Sequence, residues 1–133
     1  MNSIRSMSFL RRVLIVDAIS SGAMGVALLA AAGALSRVLA LPAQLLTEAG
    51  IVLLPFAALV GFLASRAVPF RGAVWMVIAL NVLWAIDSIV LLLTGWVAPN
   101  ALGYTFVVAQ AAFVALMADL EYIGLRKSAA ATA

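Results

Sequence analysis

Apolar residues run along this chain in four long stretches, and its polar residues gather at the breaks between them. The stretches cover residues 13–35, 43–65, 72–95 and 101–123, with Pro42, Pro69 and Pro99 at the three breaks. Proline lacks a backbone N–H and ends helices, so these positions suit connections. Each stretch has about the 20 residues that a helix needs to cross ~30 Å of hydrocarbon. None alternates with period two, and each is far longer than a barrel strand, which argues against a transmembrane β-barrel. The pattern predicts an all-α membrane protein, a four-transmembrane-helix antiparallel bundle. In that division residues 1–12 are a cytoplasmic N-terminus, 13–127 the transmembrane domain and 128–133 a flexible tail.

Three details qualify the pattern. Only residues 49–65 of the second stretch are free of charge, so starting it at Ala43 brings Glu48 into the helix. Residues 36–46 are the alternative, as a short interfacial helix, and Pro55 is expected to kink the span. Asn100, just after Pro99, is placed to cap the fourth helix. A cleaved leader competes for residues 1–35, because the start is basic and Ala32-Gly33-Ala34 resembles a cleavage site. The apolar stretch exceeds a usual signal core, and it is read here as a membrane helix.

Composition sharpens the class. Of 133 residues, 67% are hydrophobic and 10% charged, whereas soluble domains are about half apolar and a quarter charged. One small core cannot bury so large an excess. Eight basic against five acidic residues give a net charge of +3, too sparse for a nucleic-acid footprint. With Cys 0 and His 0, thiol–disulfide exchange, Cys or His metal sites, His-ligated haem and His acid–base catalysis are excluded. No metal or cofactor is expected.

Basic residues set the orientation. Arg5, Arg11, Arg12, Arg66, Arg71, Arg126 and Lys127 fall on one side of the spans, and only Arg37 on the other. Both termini are therefore expected in the cytoplasm of a bacterium, with the protein multi-pass in its inner membrane. Trp75, Trp96, Tyr104 and Tyr122 lie near segment ends, as an interfacial belt requires, while Trp84 is deep.

Ionisable groups at membrane depth are functional candidates because they are expensive to place there. Asp87 stands 15 residues after Gly72, about 22 Å along a helix. Reflecting its level through the adjoining turns reaches Gln110 on the fourth helix and Glu48 on the second. Asn81, Trp84 and Ser88 lie nearby on the third. These six residues are the expected polar layer, as a ligand site or as interhelical glue. At the cytoplasmic end, Asp17 and Asp119 are expected to pair with basic residues including Arg66 and Arg71. Ser20, Ser21, Gly22 and Gly25 form a small-residue stripe suited to close helix packing.

The stretch from Leu41-Pro42 through Glu48-Ala49-Gly50 to Pro55-Phe56, and the later Asn81-Val-Leu-Trp84-Ala-Ile-Asp87-Ser88, resemble small proteobacterial four-helix membrane proteins without an assigned activity. The layout is similar to the DoxX-like group, which implies four helices, an extracytoplasmic segment after the first and both ends inside. The resemblance brings no functional residues.

No nucleophile–base pair, Gly-rich phosphate loop, HExxH or CxxC occurs, and a non-enzyme is expected. The leading reading is an accessory or structural subunit that binds a membrane-protein partner or a second copy of itself within the bilayer. The alternatives are a bundle that binds a lipid, quinone or other apolar ligand near Asp87, and a small proton- or cation-coupled transporter.

Overall fold

A computed structural model describes the backbone of residues 2–132 and the side chains of residues 8–128. Among the described residues the chain is helical, without strands: α1 (Asn2–Ala30), α2 (Ala32–Leu39), α3 (Ala43–Ser65), α4 (Arg71–Leu93) and α5 (Ala101–Thr132). Four helices contain segments long and apolar enough to cross a membrane: Ser8–Ala30, Ala43–Ser65, Arg71–Leu93 and Ala101–Ser128. By length and composition the chain is a multi-pass membrane protein.

The helix boundaries depart from the apolar stretches at three places, the first being the start of α1 at Asn2 instead of residue 13. The first stretch breaks at Ala31, and α2 follows as a separate helix that overlaps the start of the 36–46 segment considered for an interfacial helix. Its inward positions are Ala32, Leu35, Ser36 and Leu39, while Arg37 and Val38 face out. That spacing of three and four is an amphipathic helix, which an apolar count alone does not separate from a span. Ala40 ends it in the left-handed region at φ 56°. At the other end of the chain, α5 stays helical through Thr132, so the backbone does not change state at the expected flexible tail. The alanine-rich sequence there favours a helix.

Asn100 starts α5 from both sides. Its Oδ1 accepts from the Gly103 N–H at 2.9 Å, and its Nδ2 donates to the Val38 carbonyl at 2.8 Å. It therefore caps α5 and satisfies an open carbonyl of α2.

α1 is the central element, lying against α3 on one side and α5 on the other, and α4 packs on α5. α3 and α4, though consecutive, barely meet. Small residues bring α1 onto α3. A Cβ added at Gly50 would stand 2.8 Å from Leu29 Cγ and 2.9 Å from the Gly25 carbonyl oxygen, so only glycine fits this crossing.

Two apolar cores result. At the end rich in arginine, Leu10, Leu14, Val60, Leu63, Val74, Val77 and Leu125 close all four long helices together. Arg11 Nε donates to the Ala64 carbonyl there, and an Arg71 Nη to that of Leu125, at 3.0 and 3.2 Å. Towards the opposite end, Leu28, Leu39, Leu41, Leu46, Leu53, Val97 and Val107 form the second core. Of each span's most apolar window, only 17–28% is buried inside the protein. The remaining outward face needs lipid or another apolar surface to cover it.

Candidate functional site

Where α1, α4 and α5 meet between the two cores, three polar side chains are buried. Asn81 Nδ2 donates to Asp17 Oδ2 and to Glu121 Oε1, each at 2.9 Å. Asp17 and Asn81 are 2% and 3% exposed and Glu121 0%, so water contributes little to their solvation. Asp17 Oδ1 also accepts from the Ser21 hydroxyl at 3.2 Å. Glu121 Oε2 has no hydrogen-bond partner. One amide thus serves two carboxyls, and acceptors outnumber donors.

Nearer the second core, α4 and α5 are joined by a closed polar circuit. Trp84 Nε1 donates to Gln110 Oε1 at 2.9 Å. Gln110 Nε2 donates to Ser88 Oγ and to the Val107 carbonyl, both at 2.9 Å. The Ser88 hydroxyl donates back to the Trp84 carbonyl at 2.7 Å. Each donor hydrogen in this circuit has an acceptor, which suits a low-dielectric interior.

Beside the Asp17 cluster lies a cavity of about 350 Å³. Asp17, Ser20 and Ser21 form one wall, and Trp84, Asp87, Ser88 and Gln110 another. Most of the rest is apolar, with Met24, Leu28, Leu46, Leu53, Phe106 and Phe113 among the lining. On α1 the lining extends from Asp17 to Leu28, about 16 Å of helix. Both α3 and α4 line it although they barely touch one another. The missing α3–α4 contact leaves the room for this cavity.

Of the six residues expected in one polar layer, Trp84, Asp87, Ser88 and Gln110 line the cavity. Asn81 lies in the Asp17 cluster instead. Glu48 is outside both: it is exposed and accepts from Gln44 Nε2 at 3.1 Å. Depth matching fixes a level along the helix but not a direction around it, and Ala49, one residue on, is what lines the cavity.

The expected charge pairing of Asp17, Asp119, Arg66 and Arg71 is replaced by other contacts. Asp17 is buried against Asn81, and Asp119 is exposed. Arg71 bonds a backbone carbonyl. The Arg66 guanidinium lies over the Phe62 and Phe70 rings, 5.2 and 5.9 Å from their centroids. Asp17 faces inward, where no arginine side chain follows it.

Glu121 is the site residue that the sequence reading overlooked. The signal for it is positional. Ala111, Ala118 and Leu125 are buried at intervals of seven along α5, and Glu121 falls on the same stripe, three after Ala118 and four before Leu125. Asp119 occupies the opposite face.

No family model, curated protein or solved structure matches the chain.

Proposed function

We propose that the protein binds an apolar ligand, of the lipid or quinone type or another of similar size, inside an antiparallel four-helix bundle. The cavity between the helices carries this reading: apolar walls with a few converging polar groups are the usual make-up of a ligand site. The bundle sits in a bacterial cytoplasmic membrane with both termini inside, an orientation supported by the seven basic residues on one side of the spans. The likeness in layout to DoxX-like proteins is compatible with that orientation.

Native mass spectra of the protein released from nanodiscs test the reading. A retained small molecule is expected, and it should be lost in Ala49→Phe, which adds a ring to a residue of the cavity wall. An empty wild-type protein, or a ligand indifferent to Ala49→Phe, would sink it.

A second reading, an accessory subunit of a membrane complex, is favoured by the short connections between helices. Only Arg66–Phe70 and Thr94–Asn100 separate the last three, so recognition would use the lipid-facing surface. A reproducible protein partner in the same spectra, with no small molecule, is the result it expects.

A further inference from the structure

We propose that the occupant of the cavity is an organic cation with an apolar tail, drawn in by the two carboxyls of the cavity wall, Asp17 and Asp87. This rests on the ligand-cavity reading and specifies the chemistry of the ligand.

Trp84 Nε1 is engaged by Gln110. Both hydrogens of Gln110 Nε2 are engaged, by Ser88 and the Val107 carbonyl. The hydroxyl of Ser20 donates to the Asp17 carbonyl, that of Ser21 to Asp17 Oδ1 and that of Ser88 to the Trp84 carbonyl. No other lining side chain carries an N–H or O–H. Every side-chain donor in the wall is therefore occupied.

Acceptors remain. A carboxylate has about four lone-pair sites; Asp17 accepts from Ser21 and Asn81, with the Glu121 carboxyl beside it. Asp87 lines the cavity, is exposed, and has no hydrogen-bond partner among the described residues. An exposed residue in a cavity wall stands at the opening. A ligand presenting a carbonyl, phosphate or carboxylate would find no free donor here, whereas an ammonium group finds a carboxyl with open lone pairs.

Charge points the same way. The lining contains two acidic residues and no arginine or lysine. Arg11 and Arg71 are turned to backbone carbonyls, Arg66 to aromatic rings, and Arg37 on α2 faces out. In an apolar surround, two carboxyls with no basic partner repel an anion and attract a cation, and screening is weak. Trp84, Phe106 and Phe113 also line the cavity, and aromatic faces attract cations further. A metal ion is a poorer occupant, because no group of three or more acidic, His or Cys side chains converges among the described residues.

Three probes with one tail and different head groups test the proposal in nanodiscs at neutral pH: para-octylbenzylammonium, para-octylbenzyl alcohol and para-octylbenzoate. Binding is read by titration calorimetry with empty nanodiscs subtracted. The ammonium probe is expected to bind saturably and at least about tenfold more tightly than the other two, with about tenfold loss in Asp87→Asn. Equal binding of the three, abolished by Ala49→Phe, would overturn the cation and leave the apolar cavity standing. Saturable binding of none would overturn both. A preference for the ammonium unchanged in both Asp87→Asn and Asp17→Asn would overturn the assignment of the carboxyls. Should Asp17→Asn fail to fold, the wild-type order of the probes and the Asp87→Asn result decide.

Discussion

Asn81 is the side chain on which the buried polar chemistry of this protein turns. It is the one donor from α4 that reaches both α1 and α5, and it holds two carboxyls at 2.9 Å. Removing it leaves both acceptors buried without that donor, and such groups cost about 1–3 kcal/mol each. Asn81→Ala is accordingly expected to lower stability by roughly 2–4 kcal/mol, read as a fall in the thermal transition of the detergent-solubilised protein. Gln110→Leu is a useful contrast. It breaks an α4–α5 link of the kind worth about 0.6–2 kcal/mol in membrane proteins, and its effect on the same transition should be the smaller. An equal or larger loss in Gln110→Leu would reverse this ranking. At this scale the sequence was readable in kind but not in direction. Polar residues inside apolar stretches were conspicuous, yet Glu48 and Ala49 differ by 100° around α3, and only packing shows which of them faces in. Glu121 was hidden by its position near the end of a stretch, where a charge reads as the start of the interface.

Among the contacts between spans, the α1–α3 crossing is closed by glycine. The added Cβ of Gly50→Ala would meet the Gly25 carbonyl oxygen at 2.9 Å, and a backbone atom cannot rotate away as a side chain can. We expect Gly50→Ala to destabilise by about 1–3 kcal/mol, the usual range for overpacking, in thermal unfolding. An unchanged transition would mean that α1 and α3 separate easily. The small-residue stripe on α1 made a close crossing foreseeable, and its partner was not, because small residues occur on every helix here. The spans themselves were legible within a few residues, since ~30 Å of hydrocarbon imposes both length and composition. Where that constraint lapses, so did legibility: α2 continues the first apolar stretch but has the periodicity of a surface helix, and its separation from α1 depends on a single residue, Ala31.

For the whole molecule, orientation is the property most open to direct measurement. The chain has no cysteine, so single cysteines report without background. With both termini inside, Val38→Cys, which is exposed on α2, should react with an impermeant maleimide added outside intact cells. Ser65→Cys, at the end of α3 near the arginine-rich side, should react only after the membrane is opened. The reverse order would invert the assignment. Four polar residues of the cavity wall were legible in the sequence, but the open space beside them was not. It arises from which helices fail to meet, and hydropathy carries no record of neighbours.

That failure to meet has a consequence for how the protein is made. α3 follows α1 in the chain and docks on it, so the first two spans can pair soon after they leave the ribosome. α4 emerges next and finds little of α3 to hold. Its main partner, α5, is still unmade. For the time needed to synthesise some 40 residues, α4 and its asparagine wait without α5 and the Glu121 carboxyl, and the last helix completes the assembly by packing on α4 and α1 at once.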